Sequence, residues 1–113
     1  MDKSKHPNDR LQGTLDLLIL KVLARSGPLH GYAIAQRIHL ATDHQLRIEE
    51  GSLYPALHRM TQSRWLRAEW GVTETRRKAR FYTVLPDGLL QLEEEERNWL
   101  ELTRAVARAL RHA

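Results

Sequence analysis

The chain contains no cysteine, which removes disulfide staples, thiolate metal ligands and thiol nucleophiles and fits a reducing cytoplasm. No apolar run approaches the roughly 20 residues that span a bilayer. The polar amino terminus, MDKSKHPNDR, leads into no hydrophobic signal core, so neither membrane insertion nor secretion is expected and the location expected is cytoplasmic. Catalytic signatures are missing too. Six histidines are present, yet His39 and His44 lack the same-face helical spacing of paired ligands, and no HExxH, GxSxG, phosphate-loop or paired zinc motif occurs. The expectation is therefore no enzyme, no metal site and no cofactor. A length of 113 residues suits one modest core and leaves little room for a deep cleft besides. What the chain has in excess is positive charge, with 18 Lys and Arg against 14 Asp and Glu. That balance is compatible with a polyanionic partner, but its distribution decides more than its total.

The most informative distribution lies between Glu49 and Leu66. Gly51 and Ser52 can open a helix there, with the Ser52 hydroxyl capping a free backbone N–H and Pro55 tolerated in the first turn. Leu53, Leu57 and Met60 recur at helical spacing as a buried stripe. The opposite face carries Ser52, Tyr54, Pro55, His58, Arg59 and Gln62, a set with hydrogen-bonding groups, one guanidinium and no acid. Such a face suits phosphates and base edges. Arg59 has the fork to address a guanine bidentately, whereas Ser52 and Pro55 permit close approach more than they specify sequence. His58 fits either role. Tyr54 either donates its hydroxyl to a phosphate or packs inward with Leu57.

The flanking segments supply a context for this helix. After a flexible arm over residues 1–10, Leu15, Leu18, Ile19, Val22 and Leu23 follow a helical repeat that Leu17 and Leu20 widen, and Ser26, Gly27 and Pro28 end it. A second helix, about Gly31 to Ala41, buries Ile34 and Ile38. Thr42 to Gln45 connect it to Leu46 and Ile48, which alternate as in a very short strand. Two helices joined tightly, the second with a polar outer face, form a helix-turn-helix. His30, Gly31 and Tyr32 begin the first of this pair, where backbone N–H groups and a phenol can hold a phosphate; Gly31 either allows that approach or serves the turn. Beyond Ser63 the period becomes alternating. Leu66, Ala68 and Trp70 pair with Tyr82 and Val84 in a hairpin, with Trp65 and Trp70 in its core. Its tip, Gly71 to Ala79, carries Arg76, Arg77 and Lys78, with Arg80 just beyond. This is either a wing lying along a phosphate backbone or a solvated charged turn.

The last third reads as a helix from about Asp87 to Arg111, roughly 37 Å at helical rise. Leu89, Leu92, Trp99, Val106 and Leu110 fall on a three-four spacing interrupted by Glu96 and Thr103. A stripe that long exceeds what one small domain can cover. Leu89, Leu92, Trp99, Thr103, Val106 and Leu110 are therefore expected at a homodimer interface, the alternative being that the helix folds back on its own domain. Acids early and arginines late along it complement the helix dipole. Trp99 either anchors that interface or stacks on a planar small-molecule effector near the dimer axis. The expected architecture is mainly α with a small β-hairpin: an arm over 1–10, a winged helix-turn-helix over 11–86 and a dimerisation helix over 87–113. The expected partner is double-stranded DNA; the rival is a winged helix that binds protein or RNA and has no need of paired reading helices.

The segments HGYAI (His30 to Ile34), EGSLYPALHRM (Glu50 to Met60) and RRKARFY (Arg76 to Tyr82), followed by Gly88, resemble the PadR-like transcriptional regulators over nearly the whole chain from Gln12. The short carboxyl end is similar to the smaller PadR subfamily. The resemblance implies a winged helix-turn-helix homodimer that represses transcription through an inverted-repeat operator, with the final helix forming the dimer. Members of the family often control transporter, stress or detoxification genes, and some release DNA on binding a small molecule. One departure concerns the start of that helix. The family usually has Thr three residues before the glycine matched to Gly88, and this chain has Leu85, so Pro86 and Asp87 are left to open it.

Overall fold

Helices form over the stretches with a helical apolar period, and the alternating stretches after Ser63 form strands. The computed structural model describes the backbone from residue 8 and the side chains from residue 13. In order come α1 (Asn8–Ser26), β1 (Leu29–His30), α2 (Gly31–Ala41), α3 (Glu50–Gln62), β2 (Leu66–Val72), β3 (Lys78–Val84) and α4 (Pro86–His112). The arm expected over residues 1–10 lies largely outside the described residues, and α1 has already begun at Asn8.

Helix α1 is the central element and packs against α2, α3, β3 and α4. Its Leu15, Ile19, Leu20 and Leu23 meet Ile34 and Ile38 of α2, Leu53, Leu57 and Met60 of α3, and Leu66, Tyr82 and Leu92 in a single core. Each large aliphatic side chain removed from water there contributes about 1.5 to 3 kcal/mol. Gly27, at φ 83°, ends α1 by donating its N–H to the Leu23 carbonyl at 3.0 Å. Non-glycine residues fill the same left-handed position after α2 and α3. Asp43 and His44 donate to Leu40 and His39, and Arg64 and Trp65 donate to Thr61 and Met60, in each case the paired closing bonds of a Schellman cap.

The strands form an antiparallel sheet in the order β1-β3-β2. Leu29 pairs with Tyr82 and His30 with Phe81, while β2 pairs along its length with β3, from Leu66 opposite Val84 to Val72 opposite Lys78. Three expectations are corrected. No strand forms at Leu46 and Ile48, whose neighbourhood is tied instead by Thr42 Oγ1 accepting the Leu46 N–H at 3.0 Å. The third strand is β1. Helix α3 begins at Glu50 with Glu49 as an N-cap that makes no side-chain cap bond, so Ser52 lies inside the helix and Pro55 is its sixth residue. Without an N–H on Pro55, the Gly51 carbonyl lacks its usual donor, and Gly51 is exposed to solvent.

Helix α4 starts at Pro86 with no side-chain cap from Leu85, as the missing threonine implies. The Leu85 N–H instead donates to the Trp65 carbonyl at 2.8 Å, which fixes the helix start to the turn between α3 and β2. Gly88 is required there, because a Cβ at this position would collide with that same carbonyl and with Val84 Cγ2. Lys21 of α1 reaches Glu96 of α4 at 3.2 Å. Leu92, expected at a dimer interface, is buried in the domain's own core, because the first turns of α4 lie on α1.

Candidate nucleic-acid interface

The outer face of α3 presents Ser52, Tyr54, Pro55, His58 and Gln62, all exposed. No acid lies among them. The Tyr54 ring lies over Gly31, where an added Cβ would come within 2.7 Å of its Cε1 and 2.9 Å of its hydroxyl. Tyr54 therefore packs on the start of α2 and still shows part of its ring to solvent. Gly31 is buried beneath that ring, which gives it a packing reason.

Arg59 departs from the expected role. Its two terminal nitrogens donate to the two Asp16 oxygens at 2.9 and 2.8 Å, so the guanidinium points back to α1 rather than out towards a base. The cause is Asp16, a carboxylate only 6 % exposed on an otherwise apolar helix, which needs a charged partner to be tolerated there. The bond to Asp16 raises the Arg59 pKa against the opposing effect of burial. Sequence reading missed Asp16, although an acid within the stripe of a helix buried on most sides is itself a signal of a partner.

At the start of α2, His30 caps the helix: its Nδ1 accepts the Ala33 N–H at 3.4 Å. The ring stacks beside Tyr32, with centroids 6.5 Å apart, and meets Phe81 edge-on at 5.3 Å. The phosphate-holding amides expected here are thus partly occupied by the protein's own side chain. Tyr32 stays exposed.

The wing turns through Thr73–Arg77. The Thr73 N–H donates to the Arg77 carbonyl at 2.8 Å, the Arg76 N–H to the Thr73 carbonyl at 2.9 Å, and Arg76 takes φ 63°. Arg76, Arg77, Lys78 and Arg80 are all exposed. Trp70, expected in the hairpin core, is 67 % exposed, because β2 runs past the end of the helical layer. It pairs in register with Arg80, and its ring carries the Arg80 guanidinium at 5.6 Å and the Lys78 ammonium at 6.0 Å. Trp65 does pack against the core. Between the wing and the starts of α2 and α3 runs an open groove of about 760 Å³, lined by Tyr32, Tyr54, Trp70, Arg77, Arg80 and Tyr82 among others. Tyr82 was read only as a strand residue.

Past the Lys21–Glu96 contact, α4 is exposed at nearly every residue. Leu89, Trp99 and Val106 are exposed, Leu110 is 82 % exposed, and Thr103 is half-buried with its hydroxyl on the Leu100 carbonyl at 3.1 Å. No helix among the described residues is long and apolar enough to cross a membrane.

Comparison with known proteins agrees with this geometry. Residues 19–94 match the model of the transcriptional regulator PadR-like family. The chain is 34 % identical over 83 residues to the transcriptional regulator Rv3488 of Mycobacterium tuberculosis, covering 74 % of each. Among solved structures it is similar to a transcriptional regulator from Clostridium thermocellum, at 30 % identity and a TM-score of 0.77, over 89 % of this chain and 96 % of that one. A PadR family transcriptional regulator from Eggerthella lenta aligns at 30 % identity and a TM-score of 0.74, over 92 % of this chain and 88 % of the other.

Proposed function

Because the chain belongs to the PadR-like family of transcriptional regulators, we propose that it binds duplex DNA as a homodimer and represses transcription from an inverted-repeat operator. The observation that carries this reading is the acid-free outer face of α3 beside a wing with four exposed cations. Ser52, Pro55 and His58 meet base edges or phosphates, and Tyr54 with Arg76, Arg77, Lys78 and Arg80 meets the phosphate backbone. Arg59 is left out of base reading, since its fork is committed to Asp16.

Dimerisation is supported by the part of α4 that its own domain leaves uncovered: Leu89, Trp99, Thr103, Val106 and Leu110. A second copy of the same helix has both the apolar stripe and the complementary charge to cover it, with acids early and arginines late. Two α3 helices related by a twofold axis then read half-sites about one DNA turn apart. An effector, if this regulator takes one, acts through that interface, where the two Trp99 rings offer a stacking surface for a planar molecule.

The test is selection of bound sequences from a pool of random duplexes, repeated across salt concentrations. An enriched inverted repeat is expected. Salt-sensitive binding with no enriched motif would instead favour the architectural or RNA-binding alternative, and the absence of duplex binding at any salt would overturn the proposal.

A further inference from the structure

The groove between α3 and the wing contains a polar group that packing does not explain. Tyr82 is only 7 % exposed, it lines the groove, and its hydroxyl has no hydrogen-bond partner among the described residues. A phenol ring held in place by burial, whose hydroxyl no described residue takes up, presents that hydroxyl to whatever enters the groove. If packing alone mattered, phenylalanine would serve at this position, as it does at the neighbouring Phe81. The Tyr82 hydroxyl lies within electrostatic reach of Tyr54 and of Arg80, and Tyr54 brings a second phenol to the same groove from the recognition helix. Above them Arg80 and Lys78 rest over the Trp70 ring. The mouth carries Arg77 as well, against the single acid Glu74.

We propose that Tyr82 donates its hydroxyl to a DNA backbone phosphodiester seated in this groove, with Tyr54 as the second neutral donor and Arg80, steadied on Trp70, supplying the charge. The inference rests on the duplex-binding reading above and assigns the residues that hold the strand between helix and wing. The chemistry fits a phosphodiester rather than a base edge. Two phenolic O–H groups and a guanidinium offer donors and positive charge, as anionic phosphate oxygens require, whereas a base edge presents donors as well as acceptors. Burial and the Tyr54 phenol hold the Tyr82 pKa above its ordinary value, against the opposing pull of Arg80. The group therefore remains a proton donor at neutral pH.

The experiment compares wild type, Tyr82→Phe and Arg80→Gln on a mixed-sequence duplex of about three helical turns, across a salt series and with thermal unfolding measured in parallel. Tyr82→Phe is expected to weaken binding roughly tenfold, the scale of one hydrogen bond to a charged group. Its thermal midpoint should be unchanged or raised, and its salt slope unchanged, since a neutral donor displaces no counterion. Arg80→Gln should lower that slope by about one. Wild-type affinity in Tyr82→Phe would overturn the inference, and so would a lowered thermal midpoint, which would mean that the hydroxyl serves the fold. Failure of wild type itself to bind would instead overturn the duplex-binding reading beneath it.

Discussion

Removing the Arg59 side chain should destabilise the fold before it alters DNA recognition. The Asp16 side chain is 8 % exposed and that of Arg59 36 %, so Arg59→Met leaves a carboxylate among the leucines of α1 and α3. Breaking a buried pair on one side costs about 3 to 5 kcal/mol. The open side of the guanidinium lets water screen the pair, which lowers the expectation to about 2 to 3 kcal/mol. For a chain of this size that corresponds to a thermal midpoint lower by roughly 10 °C. Asp16→Asn should cost less, about 1 to 2 kcal/mol, because the partly exposed guanidinium it frees can be hydrated. The double variant Asp16→Leu with Arg59→Met replaces both charges by apolar volume and should recover most of the loss. Urea unfolding of the four proteins, with duplex affinity measured on folded samples, decides the matter. A stable Arg59→Met variant that no longer distinguishes one duplex sequence from another would refute the reasoning and return Arg59 to base reading.

Other perturbations separate the two ends of α4. Val106→Asp or Leu110→Asp should yield folded monomers by sedimentation, with weak DNA binding, whereas Leu92→Asp should unfold the domain, since Leu92 is core; a dimeric Leu110→Asp and Val106→Asp pair would place the interface elsewhere. Gly88→Ala drives a methyl group into the Trp65 carbonyl and Val84 and should cost about 1 to 3 kcal/mol in urea unfolding. Gly13→Ala, with nothing among the described residues within 4 Å of the added carbon, should instead stabilise α1 by up to about 1 kcal/mol. Tyr82 gives a pH signature: its folded-state pKa lies above the ordinary 10.0, so its contribution is complete below that pH and is lost as pH rises through the raised value. Wild-type stability should fall more steeply above pH 10 than that of Tyr82→Phe, and parallel curves would count against the burial of that hydroxyl.

The helices and the hairpin were legible because each is amphipathic over enough residues for its period to be read. Leu15, Ile19 and Leu23 mark α1, Leu53, Leu57 and Met60 mark α3, and the change to alternation at Leu66 marks β2. What failed was whatever depends on partners distant in sequence. Strand β1 is two residues long and exists only because β3, some fifty positions later, offers an edge to Leu29 and His30. Leu92 belongs to the same stripe as Leu110, and no local pattern says which part of that stripe α1 will cover.

The candidate site shows the same division more sharply. Exposure of Ser52, Tyr54, Pro55 and His58 followed from helical position alone, since those residues lie opposite the buried stripe. Arg59 lies on the flank of that stripe, three residues beyond buried Ala56, and a side chain of its length can turn either way. The buried Asp16 decides the direction. Trp70 shares its strand face with Leu66 and Ala68, yet it emerges in solvent because β2 outruns the helices that would cover it. Tyr82 is the converse case: alternation correctly places it facing inward, but periodicity cannot distinguish a tyrosine from a phenylalanine. The difference is one hydroxyl, and its meaning depends on the groove that Tyr54, Trp70 and Arg80 complete around it.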